Sequence, residues 1–411
     1  MKKKVKIGVL GGVRGSVMVS YAKRFDDVEV VALCDRSREV LRTQQAKFSQ
    51  LGITFYDSFE AFICHDMDAV FLANYATEHA PYAIRALERG LHVFSEVLPV
   101  QTMAEAVALV EAVEKTGLTY AFAENYCYMP ATREMKKLYN QGLIGEFEYG
   151  EGEYIHNCES IWPVITHGDE SHWRNNMYST FYCTHSLGPI LHATGLRPVS
   201  VVGFEGNKNE RKLRVGAKGA SFGIEMVTLE NGAMIKSIHG DLYKDSVWYC
   251  MYGSKGRMES AREDAHSDHI RRLYVNHDRY SGDYENACLE VLDLPDGEEK
   301  VKKFGHSGAD YYAIYNFIRR LLGDPDADIV DVYEALDMFL PGMFAYRSIL
   351  AGGIPMAIPD LRDKTQRDRW RNDRACTDPA VAGDQLLPTA FGGTPQVDGG
   401  VYDYMKMLSE P

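Results

Sequence analysis

Over its first 125 residues the chain alternates short, continuously apolar runs with amphipathic ones, and few folds accommodate that order. "KVKIGVLGG" reads as a strand running into a glycine turn, and "VMVSYAKRF" continues as a helix. "VEVVALCD" is a second strand, followed by "SREVLRTQQAKFSQLG", an amphipathic helix with a glycine stop. "DAVFLAN" is a third strand, "EHAPYAIRALERG" a helix ending at Gly90, and "LHVFSE" a fourth strand. "MAEAVALVEAVEKTG" is again helical, and "LTYAFAEN" is a further strand. Strands without polar alternation are buried on both faces, so helices must cover a parallel sheet on both sides. Right-handed crossovers join such strands.

From about residue 145 the period changes. "GEFEYGEGEYIH", "RPVSVVGFEG", "GASFGIEMVTLENGAMIKSIHG" and "SVWYCMYGSKGRMES" alternate polar and apolar residues and break at Gly or Asn-Gly. That pattern predicts a mostly antiparallel sheet with one open face. An open face of that kind tends to be covered by a second subunit, so a homodimer or homotetramer is expected. "DYYAIYNFIRRLLG" and "DVYEALDMFLPGMFAYRSILAGG" read as helices, whereas "DLRDKTQRDRWRNDR", after Pro359, is charged and without readable structure. A chain of 411 residues suits two domains, here 1–125 and 126–411.

Charge and cysteine usage narrow the partners. A formal net charge of −13 argues against nucleic acid, which needs a basic face. No apolar stretch approaches the roughly 18 residues of a membrane span. The opening "MKKKVKIGVLGG" breaks at glycines too soon for a signal peptide. The 8 cysteines are scattered singly, as in a reduced, cytoplasmic protein.

Glycines at 8, 11, 12 and 15 fall at the first strand-to-helix turn. Gly11, Gly12 and Gly15 there let the backbone approach a pyrophosphate lying on the helix start, although the spacing is one residue short of G-x-G-x-x-G. Asp35 ends the second strand about 20 residues on, where an acid accepts bonds from ribose hydroxyls. A bound dinucleotide is expected. Asp35 favours NAD over NADP, while the neighbouring Arg36 offers a partner for a 2′-phosphate.

Further candidates lie outside this turn. Tyr154 and His156 are two apart in "GEYIHN" and share one strand face, which also fits a plain sheet residue and a surface histidine. His185 in "FYCTHSLGPIL" starts an apolar helix, either as a core or capping histidine or as a functional one. Glu124 ends an apolar strand at the edge where open α/β sheets bind ligands. His306 in "GHSGADYYAIYNF" belongs either to a sugar site or to a helix-capping loop, and Asp310 caps or anchors that helix. His167, Asp169 and His172 match no known metal spacing, so no metal is expected.

Together the glycine turn, "VALCDRS", "ATEHAPYAIRALERGLHVFSE", "QGLIGEFEYG", "MYGSKGRMES" and "LAGGIPMAIPD" resemble the glucose–fructose oxidoreductase/inositol dehydrogenase (Gfo/Idh/MocA) family over nearly the whole chain. The resemblance implies an α/β protein: an N-terminal Rossmann domain with a parallel sheet, then an α/β domain with an open, mostly antiparallel sheet, acting on sugars or cyclitols with NAD(P). Typical members carry Glu-Lys-Pro after the fourth strand and, later, an Asp four residues before a His. Here "SEVLPV" keeps Glu96 but has Val97 for the lysine and Leu98 for the proline, and Phe181 stands at the aspartate position, leaving His185.

Those departures resemble a narrower branch, the NAD-dependent alpha-N-acetylgalactosaminidase-like glycosidases, through "YIH", "ENYCY", Trp173-Arg174 and "YCTHSLGP". The resemblance implies that Tyr154 and His185 form an acid/base pair and that Glu124, Arg174 and Tyr182 contact the sugar, while His306 stays a candidate contact from its own loop. It implies that Arg14, Asn74, His79, Glu96 and Trp173 join Gly11, Gly12, Gly15, Asp35 and Arg36 around NAD. The expected reaction is redox-neutral hydrolysis of a small glycoside. Carbon 3 is transiently oxidised, the group on carbon 1 is eliminated, water adds, and the hydride returns. A net sugar or cyclitol dehydrogenase, a lyase of 3-keto glycosides and a non-catalytic dinucleotide sensor are the alternatives. Ser186 for glycine and the extra residue in "EVLPV" leave the substrate open.

Overall fold

A computed structural model describes residues 4–206, 209–262, 271–278, 284–290, 298–301 and 303–410. Its first sheet holds β1 (Val5–Leu10), β2 (Val28–Cys34), β3 (Thr54–Tyr56), β4 (Ala69–Leu72), β5 (His92–Ser95) and β6 (Tyr120–Phe122). They lie in the order β3-β2-β1-β4-β5-β6, and every pairing is parallel. The apolar runs are buried as their composition requires, Ile7, Val9, Phe71 and Val93 among them. The three-residue β3 has no signature of its own, because "TFY" is too short and too exposed to show a period.

Strand order reverses beside β1, and open α/β sheets bind ligands at the carboxyl ends of strands flanking such a point. There the turn after β1 passes against the turn after β4. Gly11 has φ +97°, and a Cβ on it would stand 2.3 Å from the Ala73 carbonyl oxygen. Only glycine combines that φ with that approach.

The chain forms two compact units. The first takes Met1–Asn125 together with Leu294–Leu336 and Leu361–Asp373, so the segment 126–411 expected as one body is divided. The charged tail is ordered by this arrangement. Arg367 donates to both carboxylate oxygens of Glu114 at 2.8 and 3.0 Å, and Arg371 pairs with Glu111, both acids standing on the helix Met103–Thr116.

The second unit takes Tyr126–Asp293, Asp337–Asp360 and Arg374–Pro411. Its sheet holds β7 (Phe147–Ile155), β8 (Pro198–Glu205), β9 (Phe222–Leu229), β10 (Met234–Gly240), β11 (Ser246–Gly253), β12 (Gly256–Ser260), β13 (Arg272–Asp278), β14 (Tyr284–Glu290) and β15 (Met356–Ala357). The order is β14-β13-β12-β11-β7-β10-β9-β8-β15. Only the pairing of β7 with β10 is parallel; the others are antiparallel.

One face of this sheet carries the helix Thr184–Thr194. It rests so closely on β7 that a Cβ at Gly152 would fall 1.8 Å from the Ser186 carbonyl oxygen. The Ser186 and Ser237 hydroxyls are 2.8 Å apart, and the Tyr249 hydroxyl donates to the His185 carbonyl at 2.5 Å. These contacts fix the helix whose first turn holds His185. On the other face Glu151, Glu153, Ile224, Lys236, Ile238 and Trp248 line a shallow groove. All eight cysteines are free thiols, and no helix of the described residues is long and apolar enough to cross a membrane.

Candidate active site

In the first unit the glycine turn is held from below by Asp35. One carboxylate oxygen accepts the Gly12 amide at 2.7 Å and the other the Ser37 amide at 2.8 Å, which places an acid at the tip of β2. The helix that follows, Ser16–Ala22, starts at Gly15 without a side-chain cap or an acidic residue in its first turn. Its leading amides are bonded within the turn, Ser16 to the Val13 carbonyl, Val17 to that of Arg14 and Met18 to that of Gly15, at 3.3, 3.2 and 3.1 Å. Gly11 and Asp35 together fit a dinucleotide: a cradle that a Cβ would fill and an acceptor for ribose. Arg36 lies 4.0 Å from the centroid of the Tyr75 ring and pairs with Glu78 at 3.1 Å, so its charge already has a partner. Asn74 is at the same edge, with its side-chain amide 3.4 Å from the Tyr75 carbonyl oxygen.

Deeper in this unit Arg14 grips Asp310 with two bonds of 2.8 and 2.9 Å and Glu96 with one of 2.7 Å. Asn125 and His306 add bonds to Asp310 at 2.8 and 3.1 Å. Burial opposes ionisation of Asp310, but Arg14 outweighs it and holds the carboxyl far below its usual range. Burial instead pushes Glu96 upward, with Arg14 only partly offsetting it. One guanidinium between two carboxyls thus keeps Asp310 ionised and biases Glu96 towards its protonated form. Asp310 anchors its helix, Ala309–Leu321, to the glycine turn. Glu124 is fully buried just past β6. His79 is buried and its Nδ1 bonds the Leu98 carbonyl at 2.8 Å; burial pushes the ring down to about 4, so it is neutral. The Val97–Leu98 peptide is cis.

In the second unit the aromatic side chains gather around Tyr154. Its ring lies 4.7 Å from His185, 5.2 Å from Tyr126 and 6.2 Å from Tyr182, centroid to centroid. Tyr126 also meets His185 at 4.3 Å. The Tyr154 hydroxyl is 3.1 Å from His156 Nδ1, and the Cys158 thiol approaches the same nitrogen at 3.4 Å. The Arg174 guanidinium sits 4.5 Å from the Trp173 ring centroid and 5.4 Å from that of Tyr182. Burial drives the Tyr154 phenol well above its usual value, with Tyr126 and Tyr182 adding to this and Arg174 opposing it. Burial lowers His156. Tyr154 therefore rests as a phenol that can donate to a neutral imidazole.

The two-residue period places Tyr154 and His156 together as expected, and His185 begins its helix. Phe181, at the missing aspartate position, is a buried core residue. His306 bonds Asp310 within the first unit. The segment around His167, Asp169 and His172 is a turn: His172 Nδ1 accepts the Arg174 amide, and Asp169 accepts the Ser171 amide and hydroxyl. Among the described residues no group of three His, Cys, Asp or Glu is placed to hold a metal. Sequence reasoning missed Tyr126 and the partnership of His156. The signal for His156 is its alternation with Tyr154; Tyr126 has only its place beside the strand end at Glu124.

Residues 5–124 match the model of the oxidoreductase family with an NAD-binding Rossmann fold. The N-terminal domain belongs to that family. The fold is that of solved oxidoreductases: the chain superposes on the oxidoreductase domain protein from Kribbella flavida with a TM-score of 0.71 at 19% identity, covering 87% of this chain and 100% of that one. It superposes on an inositol dehydrogenase homolog from Azotobacter vinelandii, complexed with NADH and myo-inositol, with a TM-score of 0.70 at 17% identity, covering 87% and 98%. In sequence it is 27% identical over 403 residues to a glycosyl hydrolase family 109 protein from Solibacter usitatus, covering 89% of each chain. The chain is an enzyme that binds NAD.

Proposed function

We propose that this enzyme is a redox-neutral, NAD-dependent glycoside hydrolase. The observation that carries the reading is the Tyr154 hydroxyl bonded to His156 and packed edge-on against His185, with valine where the wider family has its lysine. The relatives named glycosyl hydrolase family 109 support it over most of the chain. In the reading, Gly11, Gly12, Arg14, Gly15, Asp35, Arg36, Asn74, His79, Glu96 and Trp173 surround the cofactor, and Glu124, Arg174, Tyr182 and His306 hold the sugar.

When bound, NAD supplies a hydride acceptor that makes carbon 3 of the sugar a ketone and later gives the hydride back. The ketone renders the carbon 2 proton acidic, because the resulting carbanion is an enolate. Tyr154 takes that proton while passing its own phenolic proton to His156. A raised phenol pKa is no obstacle to such a relay, since the phenol need never stand as a free anion. His185 accepts the carbon 3 hydroxyl proton, the work a lysine does elsewhere in the family. The group on carbon 1 leaves with the proton that reached His156, and water then adds to the alkene: its hydroxide joins carbon 1, its proton passes to His156, and Tyr154 returns a proton to carbon 2. No pair of carboxylates is required, unlike in most glycosidases.

The test is a panel of aryl glycosides covering both anomers, offered to the purified protein with its own cofactor and no added NAD. Release of the aryl alcohol over many turnovers is expected. A net sugar or cyclitol dehydrogenase, or a lyase of 3-keto glycosides, is the second reading, and solved structures such as the inositol dehydrogenase homolog favour it. Steady build-up of NADH with a free sugar would select the dehydrogenase. The free thiols suit a cytoplasmic enzyme. The groove-bearing sheet face, mixed in charge and with Trp248, Ile224 and Ile238 in it, suits pairing into a homodimer or homotetramer.

A further inference from the structure

Two buried titratable side chains beside Tyr154 have no part in the mechanism above. Glu225 on β9 and His239 on β10 lie on the sheet face that carries Tyr154 and meets the helix Thr184–Thr194. His239 stands opposite Tyr154 across the parallel pairing, and Ser237 stands opposite both Gly152 and Glu225. Glu225 is 0% exposed and His239 1%. Among the described residues neither Glu225 oxygen and neither His239 ring nitrogen has a hydrogen-bond partner. His239 Nε2 stays 3.9 Å from Glu225 Oε1, beyond bonding range. Burial raises the carboxyl well above its usual value and pushes the imidazole down to about 3, so a neutral acid lies beside a neutral base.

The surroundings of this pair lead to the site. The segment 179–182 lies over β9 next to His239: a Cβ at Gly223, the residue opposite His239, would stand 2.6 Å from Thr180 Cγ2 and 3.1 Å from the Ser179 carbonyl oxygen. The Thr180 hydroxyl donates to the Gly342 carbonyl at 2.7 Å, and the Ser179 hydroxyl to Glu205 at 2.7 Å. Tyr182 ends that segment, and His185 follows in the first turn of the helix. Glu225 adjoins the same helix by another route, because the hydroxyl of Ser237 is 2.8 Å from that of Ser186, the neighbour of His185. Such a pair destabilises the core. Each group is buried without a bond, and Glu225 keeps at neutral pH a proton that the unfolded chain releases. An apolar side chain in either place removes that cost and breaks no bond of the pair.

We propose that Glu225 and His239 are positioning residues for the reaction above: packed beneath the segment 179–182 and the first turn of the helix, they set Tyr182 and His185 against Tyr154 and lower the stability of the core in doing so. This rests on the reading that Tyr154 and His185 act on a glycoside. The spacings they hold are the 4.7 Å between the Tyr154 and His185 rings and the 6.2 Å between those of Tyr154 and Tyr182. A displacement of about 1 Å in such a set is enough to slow a reaction about 100-fold.

The experiment compares the cofactor-loaded wild type with His239→Leu and Glu225→Leu, and with His239→Gln and Glu225→Gln, which keep a neutral polar group in place. At pH 7, on the glycoside found active in the aryl panel, kcat should fall about 10- to 100-fold in each Leu variant, and each Gln variant should recover most of it. The melting temperature of the Leu variants should hold or rise, as expected when an unbonded buried polar group is replaced by an apolar one. An unchanged kcat overturns the proposal. So does a melting temperature that falls together with kcat, failure to fold included, since that marks a merely structural pair, and so does a Gln variant no better than its Leu counterpart. Failure of the wild type to cleave any glycoside sinks the hydrolase reading instead. The pair is then judged by NMR of 15N-labelled histidine rings. A His185 signal displaced in His239→Leu and restored in His239→Gln supports positioning, and a signal that stays in place or is not restored overturns it.

Discussion

The Tyr154 hydroxyl and His156 Nδ1 lie 3.1 Å apart at the end of β7, on the face that also meets His185. Burial raises the phenol and lowers the imidazole, so at neutral pH the proton rests on Tyr154 and the vacant site on His156. Tyr154→Phe keeps the ring packing and removes the relay, and kcat should fall by about 10²–10⁴ with KM little changed. His156→Ala should fall less and shift the acidic limb of the pH profile. Steady-state kinetics across pH on the panel's active glycoside checks both; equal activity of Tyr154→Phe and wild type would remove Tyr154 from the chemistry.

Asp35 offers its two oxygens to the Gly12 and Ser37 amides, and Arg36 is occupied by Tyr75 and Glu78. The wild type should bind NAD more tightly than NADP. Asp35→Ala should weaken NAD by about 10- to 100-fold, as for a lost charged hydrogen bond, and narrow its margin over NADP. Calorimetric titration of both nucleotides reads the two ratios.

Asp310 is joined to Arg14 by two bonds across 296 positions of sequence, and to Asn125 and His306. Asp310→Ala leaves that guanidinium facing only Glu96. Because Arg14 is partly exposed, the expected cost is about 2–4 kcal/mol, below that of a fully buried pair. A thermal melt should show the loss, whereas Asp310→Asn should recover part of it.

His79 and His239 are buried and neutral, pushed down to about 4 and about 3 respectively. In the unfolded chain each titrates near 6.5. A histidine whose folded pKa is depressed contributes stability that is present above about 6.5 and is lost as pH falls towards the folded value. His79 alone should therefore account for about 2 kcal/mol of loss between pH 7 and pH 5. Buried Glu225, raised well above its usual value, acts in the opposite sense, losing stability as pH rises above about 4.5. Comparing melts of wild type and His79→Gln isolates the histidine: the variant should be less stable at pH 7 but lose less on acidification.

Much of the fold and part of the site are legible in the sequence. The continuous apolar strands indicate the parallel sheet, and the glycines with Asp35 mark its ligand edge. The period of two puts Tyr154 and His156 on one face. Other relationships escape because local pattern does not encode them. The bond from Arg14 to Asp310 spans 296 positions of sequence, and the pairing of Arg367 with Glu114 organises a tail whose sequence is merely charged. Parallel pairing of β7 with β10 leaves the same alternation as antiparallel pairing would. Tyr126 joins the ring cluster through tertiary packing, with no neighbour in sequence to foretell it.

At the heart of the proposed mechanism, an oxidised sugar loses its carbon 2 proton to Tyr154 and regains a proton there after hydrolysis. Hydrolysis in D2O, with the product sugar read by NMR and NADH followed by absorbance, tests this most directly. Deuterium at carbon 2 of the released sugar, with no net NADH, is the predicted result. Hydrolysis that leaves carbon 2 fully protonated would contradict it.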